Sequence, residues 1–487
     1  MSRKGITITE YPGREEKSFR HALLIFKESA RRVPAYKDFL AKEKIDPEKI
    51  KTKKDFSYIP PTDKSTYTLA YKLEDLSWDG SLVKTKFISS SSGSTGVPLY
   101  WPRGDSQDEI VNKIFLRIYE DIFNTRKGKT LFINLFALGT WIAGFEFYNA
   151  AKFTADSGNV IAISTPGSEK STAIETVIRL ASSFDRLVLA GYPPFLKDVL
   201  ESGAHEGIVW KDHDVRLISG GESFSERWRS AVLGMVGQEK SLSHFINIYG
   251  MAETGVVGHE TPLSIHIRKN ADNSDTLRAK LLHEGEIAAI YQYDPMKRYL
   301  EIGADKTVML TSDSGLPLIR YNTRDEGGTF GYDDVKDFLE AASDSTHVNG
   351  DIFQSWKGLP FVYLLGRRDM SISLYALNIY VENIKLALET SIANSLLSGF
   401  FTMRVGYTRD LNQQFEITIE LARGVEPSST ISRQLASHIV TTLKKINSEY
   451  AKLSSMIGRR AHPKIRLVRY GRIETIPGRK HKWVKLV

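Results

Sequence analysis

The chain has 487 residues, 41% of them hydrophobic and 25% charged, a globular composition with length for two or three folding units. It contains no cysteine, which excludes disulfides, cysteine-ligated zinc, iron–sulfur clusters and a cysteine nucleophile together. Net charge is +8, and the stretch Arg459–Val487 carries ten basic residues against the single acid Glu474, more than the whole excess.

The start, Met1-Ser2-Arg3-Lys4-Gly5, leads into no apolar stretch, so no signal peptide and a cytoplasmic location are expected. Phe19, Leu23, Phe26 and Ala30 recur at helical spacing in 16–44; Pro34 interrupts the pattern, and Tyr36, Phe39 and Leu40 restart it. Ile59-Pro60-Pro61-Thr62-Asp63 reads as a rigid turn. From 84 to 260 short apolar runs alternate with helical patterns. Leu131–Leu135, Val160–Ser164, Leu187–Ala190, Val215–Ser219 and Phe245–Tyr249 read as strands, and 106–124, 171–184, 194–203 and 225–236 as helices. That alternation predicts an α/β layered domain with mostly parallel sheet. The uncharged stretch Thr130–Phe145 is shorter than the roughly 20 residues that span a bilayer, and Gly139, Thr140 and Gly144 interrupt it; it reads as buried core.

From 281 to 332 the pattern turns all-β, with short strands at Glu286–Tyr291, Thr307–Thr311 and Leu318–Tyr321, followed by a polar stretch over 334–358. A small α+β unit then begins near Gly366: helix 380–390, strands 400–408 and 414–421, helix 428–451, and strands near 464–470 and 482–487. The expected architecture is therefore an α/β domain over 1–365, large, layered and with mixed sheets, plus a small α+β C-terminal domain over 366–487.

The densest anomaly is Ser89-Ser90-Ser91-Ser92-Gly93-Ser94-Thr95-Gly96-Val97-Pro98. Small hydroxyl residues and two glycines leave backbone N–H groups free to cradle phosphate. A plain Ser/Gly linker is the alternative, but Phe87-Ile88 before the run and Leu99-Tyr100-Trp101 after it suggest flanking strands. Other nucleotide and metal motifs fail. Gly128-Lys129-Thr130 has Phe123 where a Walker loop needs its leading glycine, and His259-Glu260 has Leu263 in place of a second histidine. The basic tail interleaves few aromatics (Tyr470, Trp483), which favours an anionic small ligand over nucleic acid.

Five further segments follow in order: Ser219-Gly220-Gly221-Glu222-Ser223, Ile248-Tyr249-Gly250-Met251-Ala252-Glu253-Thr254, Ile319-Arg320-Tyr321-Asn322-Thr323-Arg324-Asp325, Gly366-Arg367-Arg368-Asp369 and Pro477-Gly478-Arg479-Lys480-His481-Lys482. With the Ser/Gly run, their order resembles the adenylate-forming superfamily of acyl-CoA synthetases and adenylation domains. The likeness is greatest to the phenylacetate–CoA ligase and capsular/coenzyme ligase-like branch, which Val33-Pro34-Ala35-Tyr36, Ile59-Pro60-Pro61-Thr62-Asp63-Lys64 and Ala190-Gly191-Tyr192-Pro193-Pro194 also resemble.

The resemblance implies activation of a carboxylic acid by ATP and Mg²⁺ as an acyl-adenylate, with pyrophosphate released. The acyl group then passes to CoA or, alternatively, to an amine or carrier protein. It implies that Ser91, Ser92, Gly93, Ser94, Thr95 and Gly96 grip the phosphates, that Gly221 and Glu222 flank adenine with Tyr249 and Gly250, and that Glu253 holds the metal. Asp325 would accept the ribose hydroxyls beside Arg367, and Asp369 would be the hinge of a mobile C-terminal lid. The tail lysine is Lys480 when aligned on Pro477-Gly478. It is Lys482 when the tail is read like that of the auxin-conjugating acyl-amide synthetases. Phe136, Trp141, Phe145, Tyr192 and Met251 suggest a pocket for an aromatic or medium apolar acid, with ordinary core as the other reading.

Three positions depart from the family pattern: Ala252 replaces a phosphate-contacting threonine, and Arg324 and Ala376 replace glycines. Ala376 bears on the CoA half-reaction. A non-catalytic nucleotide-binding protein is the alternative of another class, and a homodimer is compatible with the family.

Overall fold

The computed structural model describes residues 14–91, 99–271, 275–283, 286–335, 356, 358–367, 371–375, 377–391, 393 and 396–473. The chain divides into two compact units. The first comprises Met1–Ser91, Tyr100–Gly191 and Leu196–Arg368; the second comprises Asp369–Val487 with Ser92–Leu99 and Tyr192–Phe195.

In the first unit β1 (Phe87–Ser91) pairs with β2 (Leu99–Arg103). Parallel pairing then builds one half of the main sheet from β3 (Thr130–Asn134), β4 (Ile161–Ser164), β5 (Arg186–Gly191), β6 (Asp214–Gly220) and β7 (Phe245–Met251), in the spatial order β4-β3-β5-β6-β7. Parallel neighbours require crossovers, supplied here by helices Ile142–Asp156, Lys170–Leu180, Pro193–His205 and Glu226–Met235. Every residue of β3 and β5 is buried, which is why these strands read as unbroken apolar runs rather than alternating ones.

The sheet does not stop at β7. β8 (Gly255–His259) folds back antiparallel on it. After the short pair β9 (Leu282–His283) and β10 (Glu286–Ile287) come β11 (Ala289–Gln292), β12 (Tyr299–Ile302), β13 (Thr307–Ser312), β14 (Leu318–Phe330) and β15 (Phe361–Arg367). They continue the sheet as β8-β11-β15-β14-β13-β12, all antiparallel. Among the described residues this makes one eleven-stranded mixed sheet.

Several expectations are corrected. Thr130–Phe145 is β3, a turn and the start of helix Ile142–Asp156, which the sequence pattern does not announce; the helix is apolar on most sides, so it lacks the amphipathic stripe that would mark it. Predicted strand Glu286–Tyr291 breaks at Ala288 into β10 and β11, and β12 was not expected. β14 runs 13 residues, far past Tyr321. Gly327 and Gly328 disguise its second half, and the first is required: a Cβ there would run into the Tyr363 carbonyl of β15.

In the second unit β16 (Ser371–Leu374) and β17 (Leu377–Tyr380) form an antiparallel pair. β18 (Leu397–Tyr407), β19 (Gln413–Leu421) and β20 (Lys464–Val468) form a three-stranded sheet, antiparallel then parallel. Alternate residues Phe415, Ile417, Ile419 and Leu421 of β19 are fully buried, and the first three pack with Leu435, Ile439 and Leu443 of helix Ser429–Ile446. This is the one-sided pattern of a sheet backed by helices. The predicted helix 428–451 is two helices. Asn447 leaves helical geometry (φ −126°, ψ 99°), and its side chain accepts from the Tyr450 N–H to cap Ser448–Ile457.

Candidate active site

The candidate residues of the first unit gather where β6 and β7 end, the edge at which layered α/β sheets bind ligands. Gly221 follows β6 with φ +96°, a left-handed turn that glycine adopts without steric cost. The next residue, Glu222, is fixed through its backbone: its carbonyl accepts from the Asn247 side-chain amide at 2.9 Å. The same amide donates to the Tyr291 hydroxyl at 3.1 Å, and Asn247 Oδ1 accepts from Ser219 Oγ at 2.9 Å. Asn247 is itself held by its backbone N–H on Glu260 Oε2 (2.8 Å), whose other oxygen accepts from the fully buried Arg229 at 2.5 Å. A buried ion pair therefore anchors the loop that carries Gly221 and Glu222.

Two residues further along β7, Tyr249 is buried, with its ring centroid 5.6 Å from that of Tyr291. Its hydroxyl donates to Asp325 Oδ2 at 2.7 Å. Asp325 lies on β14 directly opposite Arg367, the last residue of β15. Sequence segments far apart along the chain thus converge through one hydrogen bond and one strand register.

Glu253, in the turn between β7 and β8, is 8% exposed. Its Oε1 accepts from the Tyr321 hydroxyl at 3.2 Å and pairs with Lys64 Nζ at 2.8 Å. Burial, then the Glu253 charge beside it, pushes the Tyr321 phenol well above its ordinary value, so it stays a donor. Among the described residues no group of three or more His, Asp or Glu is placed to hold a metal. A lone carboxylate fits Mg²⁺ arriving on nucleotide phosphates, since that ion commonly takes one or two carboxylates and keeps its other positions for phosphate and water.

Arg324, where the family pattern has glycine, adopts φ +64°. The backbone keeps the glycine-like conformation at a cost of roughly 1 kcal/mol. Hydrogen bonds hold it: the Arg324 N–H donates to Asn322 Oδ1 at 2.8 Å, and its guanidinium reaches Ser65 Oγ at 3.2 Å and Asp63 at 3.4 Å.

The strand expected before the Ser/Gly run is present. Ser91 ends β1, and Ser90 is tied to Thr140 by backbone (2.9 Å) and side chain (2.8 Å). Ser92, Gly93, Ser94, Thr95 and Gly96 lie outside the described residues, as do Asp369, Ala376, Lys480 and Lys482. Of the five pocket candidates, Phe136 is fully buried with its centroid 4.5 Å from Phe147. Phe145 stacks on Phe87 at 4.0 Å and 5°. Met251 packs beside Tyr249, and Trp141 and Tyr192 are half-buried. Sequence reasoning gives no role to Lys64, Asn247 or Tyr321. Lys64 and Tyr321 stand inside quoted motifs, and Asn247 stands two residues before Tyr249, but nothing local marks their partners.

A long mixed sheet followed by a separate small α+β unit is the fold of the adenylate-forming enzymes. Among solved structures the chain is similar to 2-hydroxyisobutyryl-CoA ligase in complex with 2-HIB-AMP and CoA in the thioesterification state. Identity there is 12%, over 98% of this chain and 91% of that one, with a TM-score of 0.63. The same ligase in its postadenylation state with 2-HIB-AMP matches at 13% identity over 100% and 94%, TM-score 0.53. Its open conformation matches at 13% over 97% and 91%, TM-score 0.52. At such identities the likeness is one of fold. No protein-family model matches the chain, and no curated protein matches it.

Proposed function

We propose that this protein is an ATP-dependent acid–CoA ligase: it joins a carboxylic acid to AMP with release of pyrophosphate, then passes the acyl group to CoA. The observation that carries the reading is the 2.7 Å bond from Tyr249 to Asp325, with Arg367 opposite Asp325 in register. It unites three segments whose order alone suggested nucleotide binding.

The chemistry asks little of general bases. A carboxylate is already a nucleophile at neutral pH, so the barrier lies in bringing anions together and stabilising charge on the α-phosphate and the leaving pyrophosphate. Asp325 can accept both ribose hydroxyls, because an ionised carboxylate has only acceptor sites. Tyr249 orients that carboxylate and presents its ring toward adenine, between the Gly221–Glu222 loop and Gly250. Glu253 would hold Mg²⁺, which when bound neutralises phosphate charge. The run Ser91 to Gly96 grips phosphates through backbone N–H groups, and Lys480 or Lys482 contacts the reacting carboxylate and α-phosphate. Residues 366–487 act as the lid, turning about Asp369 between half-reactions. Trp141, Tyr192 and Met251, with Phe136 and Phe145 behind them, favour an aromatic or medium apolar acid.

A second reading keeps the adenylation and changes the acceptor to an amine or carrier protein. Ala376 in a glycine position and the Ile465–Gly471 tail pattern favour it. Incubation with ATP, a panel of acids and either CoA or a primary amine separates the two by the mass of the product. A thioester supports the first reading and an amide the second. AMP release with neither acceptor consumed would contradict both.

A further inference from the structure

The nucleotide-binding reading gives no task to Lys64, yet the structure places its ammonium 2.8 Å from Glu253, the carboxylate assigned to the metal. This is no loose surface pair. The Lys64 side chain is 28% exposed and that of Glu253 8%, and the ammonium also lies 6.0 Å from the centroid of Trp101 on β2.

The backbone that delivers Lys64 is clamped to β14. Thr62 bridges to Tyr321 in parallel register. Its carbonyl accepts from the Asn322 N–H at 2.8 Å, and its hydroxyl donates to the Ile319 carbonyl at 3.0 Å. Arg320 donates to the Ser57 carbonyl at 2.6 Å and to the Ile59 carbonyl. Asp63 caps the turn beginning at Lys64, accepting from the Thr66 N–H at 2.7 Å. β14 carries Tyr321 and Asp325, so one strand holds the ribose acid, the phenol on Glu253 and the segment that presents the lysine.

Resting on the reading of Glu253 as the metal acid, we infer that Lys64 is the resident counter-ion of that carboxylate. In the nucleotide-free protein its ammonium neutralises Glu253. When a divalent cation enters with nucleotide, Lys64 gives up the carboxylate and turns its flexible stem to the phosphates, so positive charge is kept in the site throughout. A buried carboxylate left without a partner is costly, and a lysine is the cation best able to swing, being a point charge on a four-carbon stem. Lys64 is thus a second basic contributor to the reaction, drawn from the opposite end of the chain from Lys480 and Lys482.

The test uses the full-length protein and two probes. Mn²⁺ binding without nucleotide is followed by loss of the free-ion electron paramagnetic resonance signal, and ATP binding in EDTA by calorimetry. Removing the competing ammonium in Lys64→Met tightens nucleotide-free Mn²⁺ binding about tenfold or more and weakens metal-free ATP binding about tenfold. Lys64→Arg keeps the charge and leaves Mn²⁺ binding near wild type. Should Lys64→Met not fold, Lys64→Gln carries the same expectation. Unchanged Mn²⁺ affinity in the folded neutral variant overturns the inference. Glu253→Gln separates the two claims. If it binds Mn²⁺ with ATP as wild type does, the metal reading itself fails. If it loses that binding while Lys64→Met changes neither probe, only the role of Lys64 fails.

Discussion

Tyr249→Phe removes one hydroxyl and little else, which makes it a clean perturbation of the candidate site. The hydroxyl donates to Asp325 at 2.7 Å, the length of a charge-assisted bond, and Tyr249 is only 7% exposed. Hydrogen bonds to charged groups contribute about 1.5–3 kcal/mol. If the hydroxyl acts by orienting the ribose acid, part of that energy appears as lost ATP affinity, roughly tenfold for 1.4 kcal/mol. Asp325→Ala removes the acceptor of two ribose hydroxyls and costs more, on the order of a hundredfold. The double variant is the most informative of the set, because a hydroxyl that works through Asp325 has nothing left to orient once Asp325 is gone. Calorimetric ATP titration of all four proteins should find the double variant no weaker than Asp325→Ala. Additive losses, or Tyr249→Phe binding ATP as wild type does, would mean that the hydroxyl does not act through Asp325.

Three other expectations follow from the same structure. His259 is fully enclosed, with its ring against Trp356 and Nδ1 2.8 Å from the Glu260 carbonyl, and burial holds its pKa near 4 against an ordinary 6.5. The unfolded chain therefore binds a proton between pH 6.5 and 4 that the folded chain refuses, so stability falls as pH drops through that window, by about 3 kcal/mol from this group; urea midpoints should show a shallower acid slope in His259→Gln than in wild type. Gly327→Ala drives a methyl into the Tyr363 carbonyl two residues from Asp325; a loss of about 1–3 kcal/mol in urea unfolding is expected with weaker ATP binding, and a variant matching wild type in both would contradict that register. Lys480→Ala or Lys482→Ala should abolish adenylate formation while leaving ATP binding nearly intact, and unchanged pyrophosphate release in both singles and the double would remove the tail from the mechanism.

The parallel half of the sheet was legible because strands such as Leu187–Ala190 are buried on both faces and must be apolar throughout. The alternation of β19 likewise announced a one-sided sheet. Helix Ile142–Asp156 was not legible, since it opens with Ile142-Ala143-Gly144-Phe145 and presents no clear polar stripe. The far half of β14 hid behind Arg324 at positive φ and the Gly327-Gly328 pair, both of which read as turn. At the site, the order of motifs carried Tyr249, Glu253 and Asp325, but not what touches them. Lys64 looked like a solvated charge after a proline turn. Only the clamping of 57–65 onto β14 brings it to Glu253.

If a carboxylate attacks the α-phosphate of ATP in this protein, exchange of labelled pyrophosphate into ATP reports that half-reaction without any acceptor. Across aromatic, short-chain and long-chain acids, exchange should depend on the acid, be strongest with aromatic or medium apolar acids, and disappear in Glu253→Gln. ATP binding with no exchange for any acid, in wild type and variant alike, would overturn the ligase reading and leave a protein that holds nucleotide without activating a carboxylate.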